Sequence, residues 1–430
     1  MLSEARSKSN RWTQALTRAL SVCCLVYTVG GCDAQEEGRP PPLDQLYNPL
    51  GLAAHPDGRY LFVTNSIFNR QYNASSITVI DTFTGELLPD RGVSIGLFAG
   101  ELGLTKVCRD PSRSLEDADC ESRLIGMAPS RDQGTLTSFE VVSDDDGVPE
   151  ILCGQASGRD RCAGRFVQAS LDEESEKSAP FSLSVTPRGA YLTHLNSGVV
   201  SRWRFTEDAP YIQRGCQVRL KGANLIAQHP LRGTALVSDR LGFAVYQTQT
   251  TPLDEERCLF EVLPQLNVGS ALLPGEGRGI SFSADGSQLY HVQSSQEVLH
   301  IYQVLPLSAE RLSYRRLNSI PVGQQANIVR VPGVYPGGAQ SDEQREITRL
   351  GEGLIYVSAS SDNQVIVIDP VRAQVIAQIE VGEGPYDISF MLNEAGELRG
   401  YVSLFKDQAV SVLDLHPESP RRFTELKVIQ

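Results

Sequence analysis

Short apolar runs rich in Val, Ile, Leu, Phe and Tyr recur along most of the chain, each cut off by Gly, Asn, Asp or Pro. Tyr60–Asn65, Ile77–Asp81 and Gly85–Leu88 form one such set. The same grammar returns at Leu354–Ser358, Val365–Asp369 and Val375–Ile379, and again at Gly400–Ser403, Val410–Asp414 and Phe423–Ile429. β-branched and aromatic runs bounded by turn residues predict strands, and no helical period competes over a long window. Each set is preceded by an apolar strand running into a turn. These lead strands are Leu50–Ala54 before His55-Pro56-Asp57-Gly58, Phe181–Val185 before Thr186-Pro187-Arg188-Gly189, Leu225–Ala227 before His229-Pro230, Gly279–Phe282 before Ala284-Asp285-Gly286, and Tyr386–Phe390 before Asn393-Glu394. Four strands in meander order make one blade of a β-propeller.

Taking the centre of the second strand as a marker gives Val63, His194, Val237, His291, Val357 and Val402. The later markers lie 43 to 66 residues apart, a propeller period once insertions are allowed. The first gap, 131 residues, suits two blades. A weak blade fits there, with Leu124–Met127, Thr135–Val141 and Glu150–Cys153 as its second to fourth strands. The expected fold is therefore all-β, a seven-bladed β-propeller of four-stranded antiparallel blades over residues 48–430; six blades plus an inserted hairpin is the alternative. The last blade is complete in the C-terminal sequence, with Asp44–Tyr47 placed to pack on its edge.

Phe62-Val63-Thr64-Asn65, Val79-Ile80-Asp81, Ile355-Tyr356-Val357-Ser358, Val367-Ile368-Asp369 and Val381-Gly382 resemble the blades of the bacterial YVTN family of propellers. The resemblance is close in the first and last two blades and weakens between them. Asp81 and Asp369 end third strands, where an aspartate accepts the backbone N–H groups of the following turn. That explains their repetition without catalysis.

The N-terminus has a different pattern. Arg6, Lys8, Arg11 and Arg18 precede the apolar run Ala19–Val29, then Gly30-Gly31-Cys32. This is the order of a secretory signal, and the run is shorter than the ~20 residues a bilayer-spanning helix needs. Gly30-Gly31-Cys32 resembles the cleavage site of a bacterial lipoprotein, which implies a signal peptide over 1–31 and lipid on Cys32. Residues 32–47, with Pro40-Pro41-Pro42, read as an extended tether. The expected location is the bacterial cell envelope, facing the periplasm. The resemblance makes Asp33 favour the inner membrane, with the outer membrane or cell surface as alternatives.

Charge narrows the partners. The chain carries a formal −13, and loss of residues 1–31 removes four basic and one acidic residue, leaving −16. A surface this acidic repels phosphate backbones, so nucleic acid is not expected. Membrane contact is expected through the N-terminal lipid alone. Outside the leader and Cys32 six cysteines remain, which reads as disulfides in an oxidising compartment. Proximity pairs Cys108 with Cys120 and Cys153 with Cys162, leaving Cys216 for Cys258. No CxxC occurs, and no metal or cofactor is implied.

No nucleophile elbow, zincin motif or phosphate loop is present. His55 and His229 occupy equivalent turns, while His194 and His291 are read as equivalent mid-strand positions that suit packing better than a haem or copper site. Function is then expected on the face shared by the fourth-to-first and second-to-third loops. Its candidates are Arg278, Asp387, Lys406, Asp407, Asp362 and Asn363, with Asn65, Asn196, Asp239 and Arg240 beside them. Arg278 and Asp387 begin inner strands and should lie nearest the channel. The sequence favours a lipid-anchored binding or scaffold module for a protein or envelope ligand. The alternative is an enzyme, such as a lactonase-like hydrolase, at the channel mouth.

Overall fold

The computed structural model describes residues 38–430 apart from 111–112, 114, 156–159, 172–177, 207, 209, 242–244, 249–259, 264–265, 267–275, 309–310 and 335–340. The leader, Cys32 and Cys258 lie outside the described residues. Seven antiparallel sheets follow one another along the chain, each in meander order from the centre outwards. Their innermost strands are Pro49–Ala54, Gly103–Cys108, Pro180–Thr186, Ala223–Gln228, Gly277–Phe282, Ala326–Arg330 and Pro385–Leu392. Each packs against the next, and the last packs against the first, so the sheets close into a seven-bladed β-propeller.

This arrangement explains the hydrophobic pattern. The first three strands of a blade are sandwiched between neighbouring blades, and Tyr60–Asn65, Ser75–Asp81 and Pro180–Thr186 are buried along their whole length. Outer strands have one wet face, and Ile212–Arg219 and Gln374–Glu380 alternate accordingly. The core is thus a set of interfaces between blades. Val107, Ile125 and Met127 of blade 2 pack on Leu183, Leu192 and Trp203 of blade 3. Leu52, Leu61 and Val63 of blade 1 pack on Met391, Tyr401 and Val410 of blade 7, with Leu46 buried in the same cluster.

Among the described residues no strand is exchanged to close the ring. Blade 7 takes all four strands, Pro385–Leu392, Leu398–Leu404, Ala409–Asp414 and Thr424–Ile429, from the C-terminal sequence. Closure rests on packing and on hydrogen bonds: Ser403 Oγ donates to Leu50 O at 2.8 Å and Asn48 Nδ2 to Phe405 O at 3.0 Å.

Blades 1 and 2 carry the irregularities. In blade 1, Glu86–Leu87 and Val93–Ile95 both pair with the third strand; in blade 2, Pro149–Leu152 and Val167–Ala169 do the same. Two disulfides, Cys108–Cys120 and Cys153–Cys162, tie the loops of blade 2 as proximity predicted. Cys216 is disulfide-bonded as well.

One expected equivalence is corrected. His291 pairs with Ile280, whereas Leu192, not His194, holds the matching place opposite Leu183 in blade 3. His194 matches Gln293, two residues further along, because Gly189–His194 starts and ends earlier than the marker assumed, which leaves His194 as its last residue. The strand-end aspartates are turn formers: Asp81 Oδ1 accepts from Phe83 N at 3.0 Å and Asp369 Oδ1 from Val371 N at 2.8 Å.

Candidate active site in the channel

Six inner strands share a bulge at the same place, between Pro49 and Leu52, Pro180 and Leu183, Ala223 and Ile226, Gly277 and Ile280, Ala326 and Val329, and Pro385 and Ile388. A bulge frees a backbone amide from its ladder. A hydroxyl from the second strand accepts that amide in blades 1, 3, 4, 6 and 7. The pairs are Gly51 with Thr64, Ser182 with Thr193, Leu225 with Ser238, Ile328 with Ser358 and Asp387 with Ser403, at 2.9 to 3.3 Å. These bulged residues therefore occupy one level around the channel. Thr64 Oγ1 also donates to Gly100 O, as Ser403 Oγ does to Leu50 O, which puts Glu101 at the same level in blade 2.

Where the position is polar, it clamps the following blade. Asp387 Oδ2 accepts Leu52 N at 3.1 Å, Glu101 Oε2 accepts Leu183 N at 3.1 Å, and Ser182 Oγ accepts Ile226 N at 3.2 Å. Arg330, at the end of the blade 6 inner strand, completes the arrangement. Its Nε donates to Asp387 Oδ1 at 2.9 Å and its Nη2 to Glu101 Oε1 at 3.3 Å. One guanidinium thus links blade 6 to blades 7 and 2, passing blade 1 where the level is held by Gly51. Burial opposes charge on Arg330, but Asp387 and Glu101 outweigh it and hold the guanidinium above its ordinary value. Burial, reinforced by Asp387, pushes the Glu101 carboxyl above its usual range against the pull of Arg330.

The three groups are not equally hidden. The Glu101 and Asp387 side chains are 6% and 3% exposed, while Arg330 keeps 32% of its side chain accessible. Its Nη1 makes no hydrogen bond among the described residues. Arg330 lines a channel cavity of about 570 Å³, walled by Leu52, Leu104, Ile226, Phe282 and Phe390.

The cavity rim carries acid–base groups. His55 lines it, with Nδ1 2.7 Å from Asp57 Oδ1. Burial would raise the Asp57 carboxyl, yet the hydrogen bond with His55 and the Arg59 amide bring it below its ordinary value. Glu343 sits on the first turn of the helix Asp342–Leu350, which grows from the connection between the first two strands of blade 6 and is started by a Ser341–Gln344 capping box. Burial, aided by the Asp57 charge, pushes the Glu343 carboxyl above its ordinary value. At Gly58 φ is +77°, so this turn needs glycine for its conformation, and a Cβ there would push the Glu343 carboxylate aside. His229 holds the equivalent turn of blade 4 but is buried, with Nε2 3.2 Å from Gly286 O. Repetition of sequence therefore does not carry repetition of environment.

The sequence-predicted loop residues divide between roles. Asp387 enters the charged bridge. Arg278 lies at the opposite mouth, 2.5 Å from Glu276. Asp362 Oδ2 accepts Gln324 N at 2.7 Å, Asp407 Oδ2 accepts Glu383 N at 2.5 Å, and Asn363 Oδ1 accepts Gly384 N at 3.2 Å, so all three tie one loop to the next. Lys406 is exposed and forms no ion pair among the described residues. Asp239 and Asn65 are buried, and Arg240 is 3.7 Å from Glu276. Sequence reasoning missed Glu101, Arg330 and Glu343. Arg330 left a readable trace, as the one charge inside the inner strand Ala326–Arg330. Glu101 left none, since Gly100-Glu101-Leu102-Gly103 reads as a loop.

No family model and no curated protein matches this chain. Solved structures do. The periplasmic gluconolactonase of Pseudomonas aeruginosa is 17% identical over 80% of this chain and 88% of its own, with a TM-score of 0.50. A provisionally assigned 6-phosphogluconolactonase from Bacteroides uniformis is 16% identical over 81% and 90%, with a TM-score of 0.53. The hydrazine synthase of Kuenenia stuttgartiensis is 11% identical over 86% and 96%, also with a TM-score of 0.53. At these identities the likeness is one of fold, and one fold carries unrelated chemistries here.

Proposed function

We propose that the chain is an exported propeller hydrolase that opens small cyclic esters in the channel cavity. The observation that carries this reading is Arg330, a guanidinium braced by two buried carboxylates and lining a 570 Å³ cavity. A braced, pre-oriented donor of this kind stabilises negative charge developing on a carbonyl oxygen. His55, oriented by Asp57, is the candidate base: it takes a proton from water as the water adds to the carbonyl. The ring C–O bond then breaks, His55 returns its proton to the departing ring oxygen, and the hydroxy acid leaves, its carboxyl releasing one net proton at neutral pH. Glu343 is the second acid–base group on the rim. The gluconolactonase among the structural neighbours gives sugar-acid lactones as the first substrates to try. The disulfides support export to an oxidising compartment, and anchoring through lipid on Cys32 belongs to the same proposal.

The test is proton release in a pH-stat with glucono-δ-lactone and a panel of γ- and δ-lactones. Arg330→Lys keeps the charge and removes the fork, and should lower kcat/KM on the order of 100-fold. His55→Gln should lose a similar factor. If no lactone opens faster than it does in buffer, or if both variants match the wild type, the hydrolase reading is wrong.

A further inference from the structure

The opposite mouth of the channel holds a second cluster that the hydrolase reading does not use. Arg131 follows the second strand of blade 2 and lies among three phenylalanines, 4.5 Å from the Phe68 ring centre, 5.3 Å from Phe181 and 5.9 Å from Phe98. Its guanidinium has no ion pair or hydrogen bond among the described residues, and its Nε is buried without a partner. Arg240 is near enough to add to the burial that pulls Arg131 below its ordinary value. Arg240 and Arg278 share one carboxylate, Glu276, at 3.7 and 2.5 Å, and the Arg278 Nε is likewise buried and unpartnered. Tyr386 stands beside Phe181, with ring centres 6.3 Å apart, and makes no hydrogen bond among the described residues.

Arg240 and Arg278 therefore share one carboxylate, and Arg131 has none among the described residues, on a chain whose formal charge is −13. A structural arginine is normally matched by an acid, as Arg330 is. Here aromatic walls stand in place of the acid, and donors remain free. We infer that this mouth binds a small organic anion, a carboxylate on an aromatic body: the carboxylate meets the fork of Arg131 with Arg278 or Arg240, and the body lies against Phe68, Phe181 and Tyr386. Guanidinium pairs bidentately with carboxylate, and the attraction strengthens where water is excluded. The aromatic walls are what set the ligand apart from a bare inorganic anion.

Phenylacetate, acetate and benzyl alcohol are the probes, titrated into the full chain by calorimetry at low and moderate salt. Phenylacetate should bind saturably, at least 10-fold tighter than either acetate or benzyl alcohol, and more weakly as salt rises. Arg131→Met should weaken it 10-fold or more, and the paired change Arg240→Gln with Arg278→Gln by a similar factor, while Arg330→Lys leaves it unchanged. Absence of saturable binding overturns the inference. So does binding lost in Arg330→Lys but kept in the mouth variants, which would place the ligand in the cavity. Should Arg131→Met fail to fold, the double variant decides: unchanged affinity there also overturns it.

Discussion

Two arginines occupy opposite ends of one channel and are held by different means. Arg330 is gripped by the carboxylates of Glu101 and Asp387, which are themselves hidden and bonded to the amides of neighbouring blades. Arg131 is held by rings, with no acid among the described residues. The first arrangement is a fixed network of opposite charges that spans three blades. The second leaves a cation whose donors are unfilled. The difference teaches what each end is for: a charge compensated from behind is a rigid part that can work on a neutral substrate, whereas a charge left uncompensated selects a ligand that brings its own negative charge.

Removing each cation in turn should break the comparison most visibly. Arg330→Met leaves Glu101 and Asp387 as two buried carboxylates with no counter-charge. Truncating one member of such a network costs roughly 3–5 kcal/mol. Urea unfolding should show that loss at neutral pH, with part of it recovered in Glu101→Gln/Arg330→Met, where one of the stranded charges is gone. Equal stability of Arg330→Met and wild type would mean that the bridge is ornamental.

A third group sharpens the contrast, because it is held by neither means. His291 is buried, both ring nitrogens lack a partner among the described residues, and burial together with His300 lowers its pKa to about 3. Above pH 6.5 it is neutral folded or unfolded and contributes no pH dependence. Between about 6.5 and 3 the unfolded chain binds a proton that the native state refuses, so stability falls by about 1.4 kcal/mol per pH unit. His291→Leu should remove that share of the slope, and unfolding midpoints at pH 7, 6 and 5 will show it. Curves for variant and wild type that stay parallel through this range would show that His291 charges in place.

How much of this was legible in the sequence follows the same division between repetition and exception. Strands such as Tyr60–Asn65 and Val365–Asp369 repeat because every blade must fill the same space between neighbours, so the seven-bladed ring could be read, down to the fourth strand Thr424–Ile429. Blade 2 showed only part of itself, because its inner strand Gly103–Cys108 is weakly apolar and its outer edge is split between two short segments. The site is built from departures from the repeat. Asp387 was visible as a charge at the head of an inner strand, but its partners lie 57 residues before it and, for Glu101, in a glycine-flanked loop of another blade. Ring closure brings them together, and no local pattern encodes it. Arg131 was hidden for a related reason: its three rings come from blades 1 and 3 and from the connection between blades 1 and 2.

The smallest expected effect is the most discriminating. Arg131→Met exchanges a desolvated cation for an apolar side chain against the same rings. Cation–π attraction of about 0.5–2 kcal/mol is lost, and the cost of keeping a charge away from water is relieved. The two nearly cancel, so the variant should unfold within about 1 kcal/mol of wild type, far from the loss in Arg330→Met. A loss as large as that of Arg330→Met would make Arg131 a structural cation like its counterpart, and the two ends of the channel would no longer differ in kind. A small loss, with phenylacetate binding abolished, would separate the energetics of folding from those of recognition at this mouth.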